Sequence, residues 1–240
     1  MLKSLLKRII PLPVRIAIMN LVKIPTKRDV FRQKLEINPS EAYIRNQNDI
    51  YDQIFDPWNC FSGPKNRILN LNYRAVLSIL EKNDLDICEI GCGLGALTKM
   101  IKDSGRNVLG IDSSGVAIAR AKELNPDLSI EIGDCRSWKP GSPRLFDAIL
   151  LMEVYHRLSV NDKKLTLLNC AAMLKSGGKI IVNYGNNNYL TGKKGSEYPD
   201  ISKEIFEIFS PFQIMHRSAF DEEHETENAN TIYVGINNKL

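Results

Sequence analysis

The segment Glu89-Ile-Gly-Cys-Gly-Leu-Gly95 sets three glycines at alternate positions behind a carboxylate, and further carboxylates follow at Asp112 and Asp134. Glycine permits a tight turn and lets the backbone approach a ligand with no Cβ in the way. The N–H groups of a helix that follows then face whatever is bound. Gly91, Cys92, Gly93 and Gly95 are therefore candidate cradle residues. The turn alone does not name its ligand, because with Ala96 it also fits the dinucleotide pattern G-x-G-x-x-A. Asp112 closes the next apolar run, where a carboxylate can accept both hydroxyls of a ribose, a role equally suited to NAD. Asp134 closes the run after that. It is placed to accept from an adenine amino group while the backbone N–H of Cys135 donates to a ring nitrogen. Glu89, Asp112 and Asp134 at three successive strand ends are explained together by one ligand carrying an amine, a ribose and an adenine.

Those positions make sense only on an alternating chain. Leu85–Ile90, Asn107–Ile111, Leu128–Ile132, Phe146–Met152 and Lys179–Tyr184 read as short apolar strands. Between them, Ala96–Lys102, Gly115–Leu124 and Val160–Leu174 read as helices, the last ended by Ser176-Gly-Gly178 as a left-handed cap. A helix over Lys65–Glu81, with Ile68, Leu71, Ala75 and Ile79 on one face, precedes them. Strands separated by helices imply an α/β, Rossmann-like, doubly wound parallel sheet. Phe212–His216 and Thr231–Ile236 add a terminal antiparallel hairpin, and Asn186–Ser196 reads as a loop. Residues 65–240 then form the main domain and residues 1–64 an N-terminal helical extension.

The segment Ile87–Ile181 resembles the class I S-adenosylmethionine (SAM) dependent methyltransferases. Ile87–Thr98 resembles their first motif, and Val108-Leu-Gly-Ile-Asp-Ser-Ser114 their ribose-binding acidic strand. Glu131-Ile-Gly-Asp-Cys135 resembles the adenine segment, and Phe146–Leu158, with Met-Glu-Val-Tyr-His, the exit of strand four. Leu174-Lys-Ser-Gly-Gly-Lys-Ile-Ile181 resembles the approach to strand five, with Ser176 where proline is usual. The resemblance implies SAM as cofactor, a seven-stranded sheet in the order 3-2-1-4-5-7-6, and Ser113 and Met152 beside the cofactor. More narrowly, Tyr51-Asp-Gln-Ile-Phe-Asp-Pro-Trp58 resembles the lead-in of small-molecule enzymes similar to the nodulation N-methyltransferases. There the segment covers the methionine end, which makes Trp58 a cofactor-binding candidate.

A nucleophile that starts protonated needs a base, and Glu153, Tyr155 and His156 leave strand four at the reactive end. His156, with its near-neutral intrinsic pKa, is the first choice for base or substrate orienter, and Glu153 the second. The expected reaction is methyl transfer to an O or N nucleophile of a small molecule: a metabolite, a sugar or a lipid-linked saccharide. Two other readings stand beside it, a non-catalytic SAM-binding scaffold and an NAD-linked oxidoreductase.

The 240 residues carry a net charge of +4, unevenly placed. Residues 1–36 hold nine Lys/Arg against Asp29 and Glu36, leaving a mildly acidic body. That is not the footprint of a nucleic-acid enzyme. The five cysteines include no C-x-x-C pair, and no histidine stands near Cys88 and Cys92 to complete a metal site. They read as reduced thiols of a cytoplasmic protein. Leu2, Leu5, Leu6 and Ile9, then Val14, Ala17, Ile18, Leu21 and Val22, form basic amphipathic faces broken by Pro11 and Pro13. The charge-free stretch Ile16–Val22 of this start is far too short to span a bilayer. Packing on the body or on a second subunit is its first reading, and peripheral membrane association through residues 1–24 the second.

Overall fold

The computed structural model describes residues 48–52, 54–57, 67–184, 207–209, 212–217 and 231–238. Its strands are β1 (Asp86–Ile90), β2 (Asn107–Asp112), β3 (Ile130–Ile132), β4 (Phe146–Leu151), β5 (Leu174–Tyr184), β6 (Phe212–Arg217) and β7 (Thr231–Ile236). Its helices are α1 (Arg67–Ile79), α2 (Ala96–Asp103), α3 (Gly115–Leu124) and α4 (Val160–Met173), with a 3-10 turn at Tyr155–Arg157 ahead of α4. Residues 48–52 are also helical. The strands form one sheet in the order β3-β2-β1-β4-β5-β7-β6. Neighbours from β3 to β5 are parallel, while β7 runs antiparallel to both β5 and β6.

Successive strand residues face opposite sides, so each apolar run feeds two layers. Cys88, Ile90, Ile149, Leu151, Ile180 and Val182 bury with Leu167 and Cys170 of α4. Ile87, Ala148, Leu150 and Ile181 bury with Val76 and Leu80, at the end of α1, and with Leu97 and Ile101 of α2. A sheet covered on both faces needs near-continuous apolar strands, which is what β1 and β4 supply. The chain winds outward from β1 through β2 to β3, then returns to the far side of β1 as β4. The carboxyl ends of β1 and β4 therefore flank a crevice, the place where open α/β sheets bind ligands.

One local expectation is extended and two are corrected. In α1, Ala75 and Ile79 pack on the core while half-buried, and the core-facing side extends to Asn72 and Val76, which are fully buried, and on to Leu80. Asn72 is buried without a hydrogen-bond partner among the described residues. Only Ile130–Ile132 pair with β2, because the N–H of Leu128 closes a turn onto Asn125 O at 3.1 Å. Most informatively, α4 is not ended by a glycine cap. It stops at Met173, and Leu174 is already extended (φ −85°, ψ 142°) and paired with Phe146. Gly177 does have φ 76°, but inside β5, where the register jumps from Phe146–Leu174 to Ala148–Lys179. The carbonyls at the end of α4 are satisfied from across the sheet. Buried Asn237 donates Nδ2 to Ala171 O (3.3 Å), Leu174 O (3.1 Å) and Lys175 O (3.2 Å). Its own backbone exchanges bonds with Gly177 and Gly178 at 2.7 and 2.8 Å.

The amphipathic segments of residues 1–24, the loop Asn186–Ser196 and Trp58 lie outside the described residues. No helix among the described residues is long and apolar enough to cross a membrane.

Removing the Asn237 amide strands buried carbonyls, so Asn237→Ala should lose about 1–3 kcal/mol of stability. Urea unfolding followed by far-UV circular dichroism checks this, and an unchanged midpoint would show that the cap contributes nothing.

Candidate functional site

The carboxyl ends of β1, β2, β3 and β4 meet around one carboxylate. Asp112, the last residue of β2, accepts the N–H of Gly93 on Oδ2 (2.9 Å) and that of Ser114 on Oδ1 (2.8 Å). Gly91 and Cys92 donate to Ile111 O at 2.7 and 2.9 Å, and Gly133 donates to Asp112 O at 2.9 Å. The glycine turn, the ribose-type carboxylate and the start of the adenine-type segment are thus one hydrogen-bonded unit. Half-buried Asp112 has its pKa raised by burial, against the lowering effect of its two N–H donors. Gly93 has φ 52°, and a Cβ there would stand 2.7 Å from the Tyr51 hydroxyl. Glycine is required at 93 by both the backbone and that phenol.

Side chains near the turn divide into those that face the crevice edge and those turned inward. Glu89 is buried and accepts a short hydrogen bond from the Thr98 hydroxyl of α2. Burial pushes its carboxyl up to about 7, the Thr98 bond lowers it, and the neighbouring Asp112 charge raises it. The Cys92 thiol is buried with Ile118, Ala121, Leu128 and Ile130, and burial raises its pKa. Met152 belongs to the core beside α1. The side chains of Cys92 and Met152 are therefore both turned into the core.

The segment after β3 is gripped by α4. Asp134 pairs with Arg136 at 2.5 Å, and Arg136 reaches Asp162 at 3.3 Å. Arg136, more than any other group, holds the Asp134 carboxyl below its ordinary range. Thr166 donates to Cys135 Sγ (3.4 Å), and Asn169 Nδ2 to the carbonyls of Cys135 and Trp138 (both 3.0 Å). Sequence reasoning missed Arg136, Asp162, Thr166 and Asn169. Their signal was available, since polar residues at 162, 166 and 169 share one helical face.

At the β4 exit, Glu153 is the non-glycine residue with φ near +59° among those described. Its N–H donates to Asn183 Oδ1 at 2.5 Å, and Asn183 Nδ2 returns a bond to the Glu153 carboxylate. Burial raises the Glu153 pKa, with Arg157 and Asn183 acting in the opposite direction. Val154 packs where a Cβ of Gly91 would be, 2.1 Å from its methyl, so this exit abuts the glycine turn. His156 is the middle residue of the 3-10 turn, and Tyr155 is fully buried beneath Lys163, whose Nζ is 5.2 Å from the ring centre.

The lead-in segment is docked on α3, a contact absent from the sequence reading. Ser114 caps α3 by accepting from Ala117 N–H (3.1 Å) and donates to Asn48 Oδ1 (2.9 Å). Arg120 donates to the carbonyls of Ile54 (2.9 Å) and Phe55 (3.4 Å), and lies 5.5 Å above the Phe55 ring. Tyr51 and Phe55 bury with Leu94 and Ala117. Ser113 is half-buried between Asp112 and this cap.

Residues 87–178 match the family model described as a methyltransferase domain. An uncharacterized methyltransferase of Anoxybacillus flavithermus is 32% identical over 111 residues, which cover 45% of this chain and 51% of that protein. The ubiquinone biosynthesis O-methyltransferase of Bradyrhizobium diazoefficiens is 38% identical over 119 residues, covering 48% of this chain and 46% of that one. The chain thus spans about half the length of the curated relatives it matches. In fold it resembles the N-methyltransferase NodS of Bradyrhizobium japonicum in complex with S-adenosyl-L-homocysteine, with a TM-score of 0.62 and 19% identity over 82% of this chain and 99% of that one.

Glu89 makes a pH signature expected. Its carboxyl is raised from 4.5 in the unfolded chain to about 7 in the fold, so the folded state holds this proton more tightly. The stability it contributes is fully present below pH 4.5 and is lost as pH rises through about 7. Glu89→Gln should flatten the stability–pH curve across that window by on the order of 2–3 kcal/mol. Urea melts at half-unit pH intervals test this, and a curve parallel to wild type would refute it.

Proposed function

We propose that this chain, whose residues 87–178 form a class I methyltransferase domain, binds S-adenosylmethionine and directs its methyl group to an O or N nucleophile of a small molecule. The observation that carries the reading is Asp112. A carboxylate has about four lone-pair sites, and the N–H groups of Gly93 and Ser114 occupy one on each oxygen. One acceptor site on each oxygen remains, a pair matched to the two hydroxyls of a ribose. Gly91, Cys92, Gly93 and Gly95 supply backbone beside it, Ser113 and Met152 flank the same strand ends, and Asp134 with Cys135 stands at the adenine end. Glu89 reaches the ligand through the turn it supports, rather than as an open carboxylate, since it is enclosed with Thr98. A lead-in that covers the methionine end, as the sequence of Tyr51–Trp58 suggests, is supported by the docking of residues 48–52 and 54–57 on α3.

The bound cofactor supplies a sulfonium methyl that is already electrophilic. The chain's own task is placement and exclusion of water. Glu153 suits proton acceptance from an acceptor hydroxyl or ammonium, because burial raises its basicity and Asn183 fixes its carboxylate. His156, two residues after Val154, is the alternative base or the group that orients the acceptor. The relatives include an O-methyltransferase and an N-methyltransferase, which supports both kinds of nucleophile. The basic amphipathic sequence of residues 1–24 suits packing on the body or on a second subunit first, and peripheral association with an anionic membrane second.

Titration calorimetry with S-adenosylhomocysteine tests the cofactor. Wild type should bind it, and Asp112→Ala should weaken binding by about 1–3 kcal/mol. NADH binding without S-adenosylhomocysteine binding would reject the proposal. Glu153→Gln should keep the affinity and lower turnover by about 10²–10³-fold on any acceptor methylated in a radiolabel panel. Unchanged turnover would remove Glu153 from proton transfer.

A further inference from the structure

Asp134 does not stand open at the end of β3; it is saturated almost entirely by one neighbour. Oδ1 accepts the Arg136 N–H and Nε at 2.9 Å each, and Oδ2 accepts Nη2 at 2.5 Å and Nε at 3.1 Å. A guanidinium is planar and presents its donors in a fixed fork, so this contact sets the plane of the carboxylate as well as its position. Arg136 is itself tethered through Nη1 to Asp162 in the first turn of α4 (3.3 Å). That turn is capped by Ser159, which accepts the Asp162 N–H at 3.1 Å. Thr166 and Asn169, both buried and on the same face of α4, fix the backbone between Cys135 and Trp138. Trp138 lies against Gly133, where a Cβ would come within 2.5 Å of the indole. The short segment is therefore held on every side by groups that a simple turn does not need.

From this geometry we propose that Arg136 is a positioning residue that orients Asp134 to select a 6-amino over a 6-oxo purine, with Asp162 anchoring it from α4. The proposal rests on the cofactor reading above. Three donor hydrogens, on the Arg136 backbone N, on Nη2 and on the Nε shared between the two oxygens but nearer Oδ1, meet about four lone-pair sites, so Oδ2 keeps one. An exocyclic amine can donate to it, whereas a carbonyl at the same place presents lone pair against lone pair. Discrimination of this kind requires an oriented acceptor, because a freely rotating carboxylate can turn away from the mismatched group. The fork removes that freedom before the ligand arrives.

The test compares S-adenosylhomocysteine with S-inosylhomocysteine, its 6-oxo analogue, by titration calorimetry on the full chain. Wild type should prefer the amino form. Arg136→Met and Arg136→Lys should each lower the ratio of the two affinities by roughly tenfold, since lysine keeps the charge but not the fork. Asp162→Asn leaves the Asp134 contact in place and should lower the ratio in the same direction by less; it decides the matter should the Arg136 variants melt early. A ratio that stays at the wild-type value or rises in the folded variants overturns the positioning role while leaving the cofactor reading intact. Failure of wild type to bind S-adenosylhomocysteine overturns both.

Discussion

The Asp112 carboxylate closes two turns that belong to different crossovers. By accepting N–H groups from Gly93 and Ser114, it fixes the glycine turn after β1 against the helix start after β2. Neither turn can meet its own backbone requirement alone, since a tight turn leaves N–H groups without strand partners. Holding a charge at this half-buried place is unfavourable, as its raised pKa records, and the two donors offset part of that cost. Other features follow from it. Glu89, two residues before Gly91, sits beside that charge and is itself pushed toward the neutral form. Ser114, once placed, caps α3 and reaches Asn48, so the lead-in segment is docked through the same point.

The crevice edge is polar in an ordered way while the body beneath it is apolar. Each strand end hands its polar group to a partner on another element: Asp112 to the two turns, Asp134 through Arg136 to α4, and Glu153 to Asn183 at the far end of β5. The Glu153 backbone lies in a left-handed region that costs a non-glycine residue about 1–3 kcal/mol. The two hydrogen bonds to Asn183 hold it there, and they also tie the exit of β4 to β5. Strain with dedicated support at a strand exit suits a site that must keep one geometry with or without ligand.

Periodicity carried most of the architecture. Alternation of short apolar runs with helical segments identified the doubly wound class, because a sheet buried on both faces leaves that pattern in any sequence. Gly115–Leu124 was legible to the residue because Ser114 is a strong N-cap ahead of it. The carboxyl ends of β1, β2 and β3 were legible for a related reason: the apolar runs break at Gly91, Asp112 and Gly133. Readings failed where a local signal competed with a distant partner. Ser176-Gly-Gly178 has the composition of a helix cap, yet Asn237, more than sixty residues away, takes that role and lets β5 begin at once.

Side-chain direction was the other thing the pattern could not hold. Glu89, Cys92 and Met152 sit at the expected positions along the chain, but they turn into the body, and Asp134 is bound to Arg136 before any ligand is considered. The sequence by itself determined the class of fold and the strand ends that form the crevice. These depend on local spacing and residue type, which are one-dimensional. Tertiary structure alone decided which acids remain open, which are neutralised and what grips each turn. Those outcomes depend on burial and on partners brought together from distant segments, and no window of the chain contains both members of such a pair.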